Sequence, residues 1–124
     1  MAEDIKEMQR IIKLTLIRIG IKCDLMGFSY LTHSVEVAVE NPMLIYNLKN
    51  LFKVVAKRCG VKNPFRIEAN IQNAISLTHN TKGFSSFNDL YGMEVIKPKY
   101  KPTTAEVIKL VAEYYNLGLY KNAT

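Results

Sequence analysis

The stretch of this sequence best suited to chemistry is residues 63–83, NPFRIEANIQNAISLTHNTKG. Its side chains match the edges of base pairs: arginine can donate to guanine, glutamate can accept from the cytosine amine, and amides can pair with adenine. A small apolar residue can also pack against the thymine methyl group. The candidate base-reading residues are Arg66, Glu68, Ala69, Gln72 and Asn73.

The same stretch has the features of one capped helix, with a recognition helix predicted over residues 64–82. Asn63 is a good N-cap, Pro64 suits the first helical position, and Gly83 suits the end. Apolar residues recur at helical spacing and predict a buried side. They are Ile67, Ile71, Ala74, Ile75 and Thr78. The opposite side is rich in Gln, Asn, Ser and Ala, which are poorer choices for mere solubility than Lys and Glu. The alternative is a solvated face that binds nothing.

A second set of residues is basic and suits the sugar–phosphate backbone. Such contacts fix register and add salt-sensitive affinity without reading sequence. The candidates are Lys57, Arg58, Lys62, Lys82, Lys97, Lys99 and Lys101. Any one exposed lysine is usually only solvating, but residues 97–101 form a basic group that two prolines are expected to hold extended. We therefore predict phosphate contact for this loop as a group.

Helical periodicity predicts an all-α fold, a compact bundle of about six helices. The first is expected over residues 4–19, with Ile5 and Met8 among its inner positions, and the second over 28–40. Valines at alternate positions in 35–39 leave a strand as the alternative there. The third helix is predicted over 42–59 with Asn41 as its cap. A short helix follows Gly83, with Ser86 and Asp89 at capping-box spacing, and the last helix opens with a Thr103–Glu106 capping box.

Composition sets the broad class. The 124 residues suit one domain, 1–124, and a net charge of +6 suits a polyanionic partner, although ordinary basic proteins carry as much. Two isolated cysteines favour a reducing cytoplasm, with one disulfide left open. No apolar run approaches the roughly 18 residues that cross a bilayer. The histidines, His33 and His79, have no evident carboxylate or cysteine partner, so we expect no enzyme, no metal and no cofactor.

Several short motifs, in order, give the chain a family resemblance. They are Arg66-Ile67-Glu68, Ile71, Ala74-Ile75, Gly27-Phe28-Ser29-Tyr30-Leu31, Leu90-Tyr91-Gly92, and Lys101-Pro102-Thr103 with Glu106, Ile108 and Val111-Ala112. Over about residues 11–119 the chain is similar to the C-terminal effector domain of the stage-zero sporulation response regulators, transcription factors of sporulation initiation.

This resemblance implies six helices, with the third and fourth forming a helix-turn-helix. It also implies binding to double-stranded promoter DNA, often as head-to-tail pairs, contacts to an RNA polymerase sigma factor, and a place in the bacterial cytoplasm, on the nucleoid when bound. Full-length members carry an N-terminal receiver domain that is phosphorylated on an aspartate. We expect this chain to be either an excised domain or a stand-alone protein without that switch.

The recognition helix departs from the family pattern at three positions. Arg66 and Glu68 match base-contacting positions, but Ala69 and Gln72 stand where the family has arginines, and Asn73 stands where it has histidine. Since arginine is the usual reader of guanine, fewer guanine contacts are expected. This loss leaves open a second hypothesis, a protein-interaction module that docks on a sigma factor or on a full-length regulator and has weak DNA affinity.

Overall fold

The computed structural model describes residues 2–122, with side chains over 4–121. All regular secondary structure in this part of the chain is helical. The elements are α1 (Ala2–Arg18), α2 (Met26–Glu40), α3 (Leu48–Cys59), α4 (Pro64–Thr81), α5 (Ser86–Tyr91) and α6 (Thr104–Asn116), with 3-10 helices at Pro42–Tyr46 and Leu119–Asn122. The predicted all-α bundle of six α-helices is confirmed. The alternative strand over residues 35–39 is wrong, because these residues belong to α2.

α2 runs through the middle of the molecule. Ten of its fifteen residues are buried, and it packs against α1, α3, α4 and α6. Val35 and Val37 are both buried, at 0% and 2% exposure, although they alternate in sequence. A helix that is apolar on several sides is stable only when neighbours cover it. These four contacts explain why burial overrides the strand preference of the valines.

α2 and α4 approach each other closely at Gly27. A Cβ atom at this position would lie 2.4 Å from the Asn70 carbonyl oxygen and 2.8 Å from the Ala74 Cβ. No side chain fits in that space, so the α2 backbone lies directly against α4. On α4, the predicted buried residues Ile67, Ile71, Ala74, Ile75 and Thr78 are all buried.

The predicted third helix is two elements. Asn41 makes no side-chain cap bond, and the residues after it form the 3-10 helix. The helical conformation is interrupted at Asn47. Its side chain accepts a hydrogen bond from the Asn50 N–H at 3.2 Å and so caps α3. The apolar spacing continues across this break, through the half-buried Leu44 and Leu48, so periodicity alone could not reveal it.

Smaller differences between the predicted and the observed structure concern the ends of the helices. α1 ends at Arg18, α2 begins at Met26 and α4 ends at Thr81. Ile5 is 49% exposed and is not part of the core. Ser85, not Ser86, is the residue before α5, and it makes no side-chain cap bond. The Thr103–Glu106 capping box is present as predicted.

The Gly27 contact yields the first prediction. We expect Gly27→Ala to destabilise the fold by about 1–3 kcal/mol, the usual cost of overpacking, because α2 and α4 must separate to admit the methyl group. Urea unfolding followed by circular dichroism measures this. Ser29→Ala is the matched control on the exposed side of α2 and should change stability by less than about 0.5 kcal/mol. Equal stability of the two variants would contradict the tight contact.

Candidate nucleic-acid interface

α4 turns a polar side outward, opposite the core. Its start is fixed by Asn63, whose side-chain oxygen accepts a hydrogen bond from the Phe65 N–H at 3.0 Å. Four of the five predicted base-reading residues are exposed, and Glu68 is half-buried. The exposed four are Arg66, Ala69, Gln72 and Asn73.

These residues occupy different parts of the outward side. At about 100° per residue, Ala69 lies near its middle, with Arg66 and Asn73 toward one edge. Gln72 lies toward the other edge, in a groove with residues 101–104. Glu68 lies further round that edge, in a groove shared with α3. The set is therefore spread across the whole face, with Glu68 at its margin.

A basic loop, residues 93–103, lies beside α4, and its first half is held by Asn88. The Asn88 side-chain oxygen accepts hydrogen bonds from the Val95 and Ile96 N–H groups at 2.7 and 2.9 Å. Its amide nitrogen donates to the Ile96 carbonyl at 2.9 Å. One side chain thus satisfies three backbone groups of the loop, and the Ile96 side chain is buried beneath it.

The second half of the loop is attached directly to α4 and α6. The Lys101 ammonium donates to the Ser76 hydroxyl on α4 at 2.7 Å. The Tyr100 hydroxyl donates to the Glu106 carboxylate at 2.6 Å, and that carboxylate also accepts from the Thr103 N–H at 2.9 Å. Lys101 is therefore held against the polar face of α4, and the loop backbone is held beside it.

The loop is not extended, as its prolines had suggested, but contains a tight turn over residues 97–100. The Tyr100 N–H donates to the Lys97 carbonyl at 3.1 Å, with Pro98 in the second turn position. Lys99, in the third position, has φ 65°. A proline followed by a positive φ is the pattern of a type II turn, where the third position favours glycine. Lys99 therefore holds a strained conformation that a glycine would adopt freely.

Glu106 keeps its negative charge to a lower pH than an ordinary glutamate, because its pKa is lowered. The Thr103 backbone N–H, followed by the Tyr100 hydroxyl, lowers the pKa of Glu106 by hydrogen bonding to its ionised form. Because the pKa is lowered in the folded state, this stabilisation is complete above the ordinary glutamate pKa. It is lost as the pH falls through the lowered value. The anchor of the loop is thus fully charged near neutral pH.

The other residues predicted to contact phosphates fall into two groups by their position in the fold. Lys82 is near the loop, because it lines one groove with residues 97–100. Lys57, Arg58 and Lys62 are exposed around the end of α3 and the turn before α4. Arg58 is paired with Glu40, with a nitrogen–oxygen distance of 2.8 Å. The hydrogen bonds and the ion pair found for the Arg58 guanidinium go to Glu40, at the end of α2, and none in the described part of the chain goes to the loop.

The chain matches the family described as Sporulation initiation factor Spo0A C terminal over residues 12–115. It belongs to this family. The resemblance found in the sequence is therefore confirmed, and the chain is a DNA-binding regulatory domain of sporulation initiation.

Two lysines of α3 that were not among the predicted phosphate contacts also lie beside α4. Lys49 and Lys53 on α3 line a groove with Phe65 and Glu68 of α4. Their spacing of four residues puts them on one side of α3, outside its apolar stripe, and this much is visible in the sequence. Their proximity to the start of α4 depends on how the two helices cross, which no local pattern encodes.

The expectation that neither histidine has a carboxylate partner is wrong for His33. His33 does have a carboxylate neighbour, since its Nδ1 lies 3.3 Å from the buried Glu36 carboxylate, which also accepts from the Gln9 amide at 3.0 Å. Among residues 2–122 no group of three or more His, Cys, Asp or Glu could hold a metal ion.

Cys23 and Cys59 are both free thiols, and burial raises the pKa of Cys59. No helix in the described part of the chain is long and apolar enough to span a membrane.

The hydrogen bonds of Asn88 yield the second prediction. We expect Asn88→Ala to destabilise the domain by about 2–3 kcal/mol, since each of three partly buried hydrogen bonds contributes about 1 kcal/mol. Amide hydrogen exchange at Val95 and Ile96 should accelerate. Asn80→Ala, at an exposed position near the end of α4, is the control and should leave both quantities nearly unchanged. Unaltered exchange at Val95 and Ile96 would show that other contacts hold the loop.

Proposed function

We propose that this domain is a sequence-specific reader of double-stranded promoter DNA that acts as a transcription regulator. In this proposal α3 and α4 form a helix-turn-helix, and α4 enters the major groove. The observation that carries it is the bond from Lys101 to Ser76, which ties a basic loop to the edge of an amide-rich helix face. Fixed positive charge beside uncharged donors and acceptors suits a phosphate backbone flanking base edges.

The short connection between the two helices supports this arrangement. α3 ends at Gly60, which has φ 68°, and three residues later Asn63 caps α4. A glycine-containing turn of this length joins the helices of many helix-turn-helix proteins. The two helices also pack against each other and, separately, against α2. α4 is thereby held with its polar side outward.

The proposed roles divide by residue type. Arg66 donates to guanine, Glu68 accepts from a cytosine amine, and Gln72 and Asn73 read adenine directly or through water. Ala69 packs against a thymine methyl. The loop lysines, with Lys82, bind phosphates on one side of α4, and Lys57 and Lys62 bind them at its start. Arg58 has a weaker claim, because Glu40 already neutralises it.

The proposal extends to partners and location. Binding of two domains head to tail on neighbouring boxes and contact with an RNA polymerase sigma factor follow from family membership rather than from any contact seen within this chain. On the same basis the domain works in the bacterial cytoplasm, at the nucleoid. No chemical step is proposed, because the role of such a domain is binding.

A second candidate function is a protein-interaction module with weak DNA affinity. The observation that favours it is the exposed Ala69 at the middle of the α4 face, where the family pattern has arginine. Without arginines at 69 and 72, the face lacks the strongest readers of guanine. Its partner would be a sigma factor or a full-length regulator.

Selection of bound duplexes from a random pool, at fixed near-physiological salt, separates the two candidates. An enriched motif with fewer guanine contacts than the family box supports the DNA reader. Weak, salt-sensitive retention without any motif supports the interaction module. Salt must be held constant, since phosphate-mediated binding changes steeply with its concentration.

The base-reading assignment yields the third prediction. We expect Gln72→Ala and Asn73→Ala each to alter preference at one or two base positions, at about 1–3 kcal/mol per lost bidentate contact. Repeating the duplex selection with each variant measures this change. Uniform weakening on all sequences by both variants would argue that these amides do not read bases.

The strained turn yields the fourth prediction, from paired substitutions of Lys99. Both Lys99→Ala and Lys99→Gly should weaken binding to all duplexes alike and reduce the slope of log affinity against log salt by about 1. Lys99→Gly should also be more stable than Lys99→Ala by about 1 kcal/mol, because glycine adopts a positive φ freely. Lys13→Ala, at an exposed position of α1, is the charge-matched control and should keep the original slope.

A further inference from the structure

Phe65, in the first turn of α4, has no role in the account given so far. Its side chain is 73% exposed, and it is the large apolar residue that α4 turns outward. Its backbone is fixed, because its N–H is bonded to the Asn63 cap. One turn later on the same side lies Ala69. Single exposed apolar residues are common on protein surfaces, so exposure alone would not single out Phe65.

Its surroundings distinguish it from an isolated apolar residue. Phe65 lines a groove with Pro64 and with Phe52 of α3, which is itself buried. Lys49, Lys53 and the half-buried Glu68 line the same groove. The start of α4 therefore combines an exposed apolar surface with two neighbouring lysines.

That combination fits one feature of the DNA major groove. Thymine presents a methyl group there, and a phenylalanine side chain is one of the groups that contacts it. The two lysines suit the phosphates that flank such a base. In helix-turn-helix proteins the residues at the start of the recognition helix contact base edges, and Phe65 occupies that position if α4 is the recognition helix.

We propose that Phe65 packs against a thymine methyl group in the major groove and makes the domain require thymine at the position read by the first turn of α4. Lys49 and Lys53 hold the neighbouring phosphates. This inference rests on the proposed DNA-reading function and adds a specificity-determining residue to it. It also explains how a face without two family arginines retains sequence preference.

Replacing thymine by deoxyuridine tests the inference, because it removes only the methyl group. In the selected site each thymine is replaced in turn, and binding of the wild-type domain is measured at fixed salt. Besides any thymine contacted by Ala69, we expect one thymine at which the replacement weakens binding about fourfold, the effect of burying one methyl-sized group. Phe65→Ala should bind the thymine and deoxyuridine duplexes equally at this position. Phe65→Leu, which keeps an apolar side chain, should retain part of the difference.

Controls separate this inference from the function on which it rests. Tyr46→Ala removes an equally exposed aromatic side chain, 75% exposed on the 3-10 helix, and should keep the full thymine preference. If the wild type enriches a motif but no thymine position responds, or if every response persists in Phe65→Ala, the role of Phe65 is overturned while DNA reading stands. If the wild type enriches no motif, both proposals fall. Circular dichroism of each variant verifies that it is folded.

Discussion

The contact of α2 with α4 at Gly27 is the constraint on which the rest of the domain depends. With 2.4 Å between a notional Cβ and the Asn70 carbonyl oxygen, α4 lies too close to α2 for any side chain at Gly27. The five buried residues of α4 then fix which side faces outward. Because the core holds α4 by its inner side and by backbone, the outward side chains contribute little to folding. They are free to differ from those of other family members.

The basic loop is fixed differently, largely by hydrogen bonds, with few buried apolar side chains. Asn88 satisfies the loop backbone, Glu106 holds Tyr100, and Ser76 receives Lys101. Only Ile96 and Pro102 of the loop are buried. Hydrogen bonds of this kind contribute less than a packed core, but they specify direction. The loop backbone and Lys101 are therefore held in one arrangement beside α4, which lowers the ordering cost of binding phosphates there.

Much of this fold could be predicted from sequence, since the apolar period, the Asn63 cap and the Thr103–Glu106 capping box are all local signals. The prediction failed at Asn47, where the apolar pattern runs on through a backbone break. It also failed at residues 97–100, where prolines suggested extension and a turn formed. The candidate recognition helix was visible because its amides stand out locally. The groove of Lys49, Lys53 and Phe65 was not, because it arises from the crossing of two helices.

The left-handed conformation of Lys99 has a consequence for anyone who engineers this domain. Programmes that raise melting temperature commonly begin by correcting residues whose backbone angles suit another amino acid, and this turn would be among the first corrected. The replacement would remove a cation from the loop beside α4. At residue 99 a higher melting temperature and a positive charge therefore require different amino acids. A library of variants ranked by heat resistance alone would favour glycine there and lose the lysine.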